Sequence, residues 1–194
     1  MQPIKHILEY AVLRILSFLF CLTPYRVALS VGWVGALFAF HICRFRVREV
    51  KRRMKVVFGS KLSDWAIARK AWISWRNFVF NIIEVLRSPM MTRAGMDKFY
   101  DCEAFMSTLK NHFDTGRGGI IATPHMGNWD MAGVACLKRN IPLFSVVANQ
   151  KNQLVSDYFD KIRSRAGMEM LVRGSSNMRT AVRYLKAGKA LAIL

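Results

Sequence analysis

The sequence predicts an α/β protein, with apolar helices at the N-terminus followed by a mostly parallel sheet built from alternating strands and helices. Three observations carry this. Two long apolar runs occupy the first 43 residues, with Pro24 between them. Residues 62–87 repeat large apolar side chains at three- and four-residue steps. From residue 120 onward, short apolar, β-prone runs alternate with amphipathic helical stripes, with Gly and Pro at the junctions.

The first apolar run, residues 7–23, carries Glu9 and Arg14; the second, Val27 to Ile42, carries no charge. A membrane-spanning helix needs about 20 apolar residues, so the runs suit either spanning or lying in the interface. No small-residue cleavage site follows the first run, which argues against a signal peptide. A basic block comes next: Arg44, Arg46, Arg48, Lys51, Arg52, Arg53 and Lys55, opposed by Glu49. Cations flanking an apolar segment mark the cytoplasmic side and attract anionic headgroups. Residues 1–43 are therefore expected to anchor the protein to a membrane, and residues 44–194 to form an α/β domain on its cytoplasmic face.

In residues 62–87, Trp65, Ala68, Trp72, Trp75, Val79, Ile82, Ile83 and Leu86 form one helical stripe. Ser63 and Asp64 are capping candidates, and Pro89 ends the helix. A tryptophan stripe of this kind is expected to pack in a core. A connecting helix follows around Ala104 to Asn111, broken by Gly116, Gly118 and Gly119. Ile120 to Thr123 then suits a buried strand, residues 129–138 a helix, and Leu143 to Ala148 a strand. Leu154, Tyr158 and Ile162 share a stripe of a helix over 152–165, closed by Gly167. Met168 to Val172 is a strand. Ser175 or Ser176 can cap a helix carrying Met178, Val182 and Leu185, which ends at Gly188. Lys189 to Leu194 starts another strand.

The formal charge is +18 and 53% of residues are hydrophobic. That combination points to an anionic membrane surface rather than nucleic acid, for which no recognition helix, zinc spacing or aromatic-basic sheet motif is present. Cys21, Cys43, Cys102 and Cys136 form no CxxC pair, so neither a metal site nor a disulfide framework is expected.

Parallel sheets place ligand sites at the carboxyl ends of their strands, and His125 directly follows one. An acid, Asp130, comes five residues later. That spacing alone arises by chance in about one chain in four of this composition, so the context has to carry it. Thr123-Pro124 stops the strand, Gly127 permits close backbone approach, and Asn128 can cap the next helix. Asp130 then falls in the first helical turn, where the macrodipole favours a carboxylate. A His oriented by a carboxylate is a general base able to deprotonate a substrate hydroxyl. No Ser or Cys stands in an elbow motif, so direct attack of that hydroxyl on an acyl thioester fits best. The alternative is a strand-end His satisfied by a local carboxylate. A non-catalytic basic membrane- or nucleic-acid-binding protein is the competing reading of another class.

The segment Thr123-Pro124-His125-Met126-Gly127-Asn128-Trp129-Asp130 resembles the hallmark of the bacterial lipid A biosynthesis acyltransferases, within the wider lysophospholipid acyltransferase group. The likeness extends to the basic block ending at Phe58, where Gly59 replaces the family's Pro, and to Ala71 through Leu86. It continues through Arg163-Ser164-Arg165-Ala166-Gly167 with Arg173 beyond, and through Leu185 to Leu194. The resemblance implies a sheet domain of glycerolipid-acyltransferase type at the bacterial inner membrane. It implies an enzyme that needs no cofactor and moves a fatty acyl chain from acyl carrier protein to a hydroxyl of a lipid A precursor. His125 would be the base and Asp130 its partner. Gly127, Asn128 and Trp129 would contact substrate, with Arg163 and Arg173 positioning it. A glycerolipid or mannoside-lipid acyltransferase would share His125 and Asp130. Family members continue past the position of Leu194 through a Pro-Asp-Gln motif, so the chain is expected to be C-terminally truncated, which would leave Lys189 to Leu194 as an unpaired edge strand.

Overall fold

A computed structural model describes residues 2–98, 103–148 and 150–193. Cys102 and the predicted strand end at Leu194 lie outside these residues. The chain divides into two compact units, one of residues 19–84 and one of residues 1–18 with 85–194.

The unit of residues 19–84 is helical. Helix α1 (Ile4–Leu22) ends before Pro24, and α2 (Tyr25–Leu37) starts after it, running on as a π-helical turn over Phe38–Ile42. The stretch Tyr25–Ile42 is long and apolar enough to cross a membrane, by length and composition, with a mean hydropathy of 1.3. Helix α3 (Val47–Phe58) turns Val47, Val50 and Met54 onto a small core with Phe40, Ala71, Trp72 and Trp75 of the same unit. The last three come from α4 (Asp64–Arg87), which Ser63 caps by accepting a bond from the Ala66 amide. The expected core stripe of α4 holds for Trp72 and Trp75, which lie partly buried against this cluster. It fails for Trp65, which is 73% exposed because the first turn of α4 projects beyond the core.

The exposed face of α3 carries one carboxylate, Glu49. Hydrogen bonds from Arg52 and then Arg53 hold it down to about 2. Its ordinary value is 4.5. The folded value lies below the unfolded one, so this contribution to α3 is complete above the ordinary value and is lost as pH falls from there toward 2. Glu49→Gln is expected to remove that component of the acid transition, read by circular dichroism across this pH window.

The second unit contains the sheet. After α5 (Arg93–Asp97) and α6 (Glu103–Phe113), the chain alternates through β1 (Gly119–Ala122), α7 (Trp129–Leu137), β2 (Leu143–Val147) and α8 (Gln153–Arg165). It ends with β3 (Glu169–Val172), α9 (Ser175–Lys186) and β4 (Ala190–Ile193). All pairings are parallel, in the order β1-β4-β2-β3. The expected edge position of the last strand is thus overturned. The β1-to-β2 crossover leaves a one-strand gap, and the crossover through α9 brings β4 back into it. Ala190 pairs with Gly119 on one side and Leu143 on the other and is fully buried. The caps also differ in one place: α9 begins after Gly174, which takes the N-cap position expected of a serine.

Adjacent residues of β2 point to opposite faces. Leu143 enters a cluster with Met131, Val134, Ala135 and Met168, while Phe144 enters another with Leu171 and Ala181. Both faces of the sheet are therefore covered, as a parallel sheet requires. Just before β1, Gly118 passes so close to the end of α9 that an added Cβ would sit on the Leu185 carbonyl oxygen and 2.9 Å from that of Lys189. Backbone atoms cannot swing aside, so Gly118→Ala is expected to cost about 2–3 kcal/mol, measured by chemical unfolding.

The part of α1 up to Phe18 belongs to this unit and meets α8 along a polar seam. The Asn152 side-chain amide donates to the His6 carbonyl at 3.1 Å and to Glu9 at 2.8 Å. Tyr158 donates to Ser17 at 2.7 Å, and the Arg14 guanidinium lies 5.2 Å from the Tyr158 ring centre. The two charges that interrupt the first apolar run are thus both used against α8.

Candidate active site

β1 ends at Ala122, and Thr123 still bonds to the sheet through its amide and the Ile193 carbonyl at 2.9 Å. Pro124 then ends the pairing. The turn that follows runs through Gly127 at φ +61, a left-handed conformation in which any other residue is strained. Asn128 caps α7 by accepting from the Met131 amide at 3.2 Å, as its place before the helix predicts. This turn leaves His125 exposed at the carboxyl end of β1, its ring 5.2 Å from that of Trp129.

Asp130, in the first turn of α7, is not hydrogen-bonded to His125; its Oδ1 accepts from Arg163 Nε at 2.8 Å. Arg163 also donates through Nη1 to Asp160 at 3.1 Å, one turn earlier on α8. The Asp130 and Arg163 side chains are 18% and 20% exposed. Burial works against the Arg163 charge, but the bond and charge of Asp130, with Asp160 behind them, outweigh it and raise its pKa. The guanidinium thus ties α8 to α7 through Asp130, while Asp160 holds it from within α8.

Beside this ion pair lies a cavity of about 140 Å³. Trp129, Asp130 and Arg163 border it, and Phe105, Ile121, Val146, Met168 and Met170 make most of it apolar. The structure thereby brings Trp129, Asp130 and Arg163 to one place, with His125 next to Trp129. Arg173 stands exposed one residue beyond β3, its amide bonded to the Val147 carbonyl at 2.8 Å, at the same end of the sheet as His125. Sequence reasoning missed Asp160 and the apolar lining. Asp160-x-x-Arg163 is a helical i, i+3 pair, and its spacing was the available signal.

A parallel sheet that delivers a histidine, a carboxylate–guanidinium pair and an apolar cavity to its strand ends has the arrangement of a ligand site of the α/β class. The chain belongs to the bacterial lipid A biosynthesis acyltransferase family, whose model matches residues 2–194. It is also similar to the phosphatidylinositol mannoside acyltransferase of Mycolicibacterium smegmatis, at 33% identity over 88 residues. A protein of the same name from Mycobacterium tuberculosis is 30% identical over 89 residues. Each match spans 45% of this chain, and 29% and 28% of the two relatives respectively.

Proposed function

We propose that the protein is an O-acyltransferase of glycolipid biosynthesis in which His125 is the general base. The observation that carries this is the exposed His125 at the carboxyl end of β1, beside a cavity whose apolar wall suits a fatty chain. In the proposed step His125 takes the proton of an acceptor hydroxyl as its oxygen attacks the thioester carbonyl. A C–O bond forms, the C–S bond breaks, and the departing thiolate receives the proton from the imidazolium. Asp130 is assigned as the acid partner. Arg163 occupies its Oδ1, and Oδ2 carries no hydrogen bond among the described residues, so that oxygen can turn to His125 in the substrate complex. Gly127, Asn128 and Trp129 shape the approach to the base, and Arg163 and Arg173 are assigned to substrate positioning.

The donor in this reading is acyl carrier protein, the acceptor a lipid A precursor, and the place the cytoplasmic side of a bacterial inner membrane, with residues 1–43 contributing the anchor. The two mannoside-acyltransferase relatives favour a second acceptor class, a mannosylated lipid. Membranes containing the protein can be given acyl carrier protein thioester with a lipid A precursor, a phosphatidylinositol mannoside or glycerol phosphate, and the products weighed by mass spectrometry. An ester on either glycolipid supports the reading and selects the acceptor. Acylation of glycerol phosphate alone would sink it.

A further inference from the structure

The unit of residues 19–84 carries a surface that the catalytic reading leaves unused. α3 buries Val47 and exposes Arg48, Arg52, Arg53 and Lys55. At its C-terminal end the pattern reverses. Val56 and Val57 are 75% and 76% exposed, Phe58 beside them is 36% exposed, and Trp65 is 73% exposed in the first turn of α4. Lys55 pairs with Asp64 at 2.7 Å, and the Lys70 ammonium lies 5.8 Å from the Phe58 ring centre. These two contacts hold the end of α3 against the start of α4. Val56, Val57 and Trp65 therefore stand out from one corner, with the less exposed Phe58 at the end of α3, bordered by Lys55, Lys61, Arg69 and Lys70.

A cluster of exposed apolar side chains within a cationic rim marks a binding surface, since such groups gain nothing in water. Between residues 44 and 70 there are ten Lys and Arg, and the only acids, Glu49 and Asp64, are both already paired within this surface. The complementary partner is strongly anionic. Side chains standing three-quarters clear of the protein are points that insert rather than a pocket that receives, and an indole beside cations suits headgroup depth.

We propose that the α3–α4 corner is an insertion point for an anionic lipid bilayer. Val56, Val57 and Trp65 enter the headgroup–acyl boundary with Phe58 at its edge, and the cations of α3 and α4 meet lipid phosphates. The inference rests on the membrane placement proposed above and adds to it the part of this unit that makes contact.

A photo-crosslinking phenylalanine can be placed at Val57 or Trp65 in the full chain. The same probe at Phe18 reports attachment through α1, and at exposed Thr115 it serves as a control. Each protein is irradiated with vesicles of phosphatidylcholine, with or without a quarter of phosphatidylglycerol, and lipid adducts are weighed. Adducts at Val57 and Trp65, severalfold more abundant with phosphatidylglycerol and lowered by salt, are expected. Adducts at Phe18 but not at Val57 or Trp65 would overturn the inference and leave the membrane placement standing. Absence of adducts at all three positions would overturn both. Equal yields from the two lipid mixtures, or adducts to an added acidic carrier protein in place of lipid, would overturn the assignment of an anionic bilayer.

Discussion

Replacing His125 with Ala is expected to lower acyl transfer by about 10²–10⁴-fold, the range that a positioned general base supplies. The side chain is exposed and, among the described residues, its ring contact is with Trp129, so the fold should be indifferent to the change. Unfolding should move by no more than about 0.5 kcal/mol, as for other surface substitutions. The measurement is the initial rate of thioester consumption in membranes, with thermal unfolding and membrane sedimentation of the same preparation alongside. Full activity in His125→Ala would remove the base from the mechanism and return the residue to a strand-end histidine without a chemical role. A non-catalytic basic protein predicts that no property changes at all.

The second large effect is expected at Arg163. Removing one member of a buried ion pair leaves its partner desolvated and unpaired, at about 3–5 kcal/mol when burial is complete. Here the two side chains keep about a fifth of their exposure, so water relieves part of the penalty. Arg163→Met is expected to destabilise the sheet unit by about 2 kcal/mol. Adding Asp130→Asn should recover part of that loss, because no charge is then stranded. Arg163→Lys should fall between, since an ammonium cannot donate to Asp130 and Asp160 with the fixed fork of a guanidinium. Denaturant midpoints for the wild type, Arg163→Met, Asp130→Asn, the double variant and Arg163→Lys test the coupling. Full additivity of the two substitutions would show that the pair is not coupled.

These two predictions differ in how far the sequence reached. The turn around His125 was legible because every device in it is local: a proline that ends pairing, a glycine that accepts positive φ, and an asparagine that caps the next amide three residues on. The same applies to Ser63 at the start of α4, and to helix α8, whose 3.6-residue stripe shows in Leu154, Tyr158 and Ile162. The partner of Asp130 was not legible in this way. Its guanidinium comes from 33 residues further along the chain, and only the packing of α7 beside α8 selects it over the nearer His125.

Trp65 shows the limit of periodicity. It lies on the same stripe as Trp72 and Trp75, yet a stripe specifies a direction around a helix and not how far along it the opposing core extends. Glu9 and Arg14 are the converse case, since charges that interrupt an apolar run acquired a purpose only once α8 was seen beside them.

The sequence by itself determined the succession of helices and strands, the parallel character of the sheet, and the delivery of His125 to a strand end. Each follows from short-range periodicity, capping and turn chemistry. Tertiary structure alone decided that β4 lies inside the sheet and that Arg163 holds Asp130. It also decided that Val56, Val57 and Trp65 stand in solvent at the corner of α3 and α4. These outcomes depend on which distant segments the crossovers and packing bring side by side, and no local pattern encodes that choice.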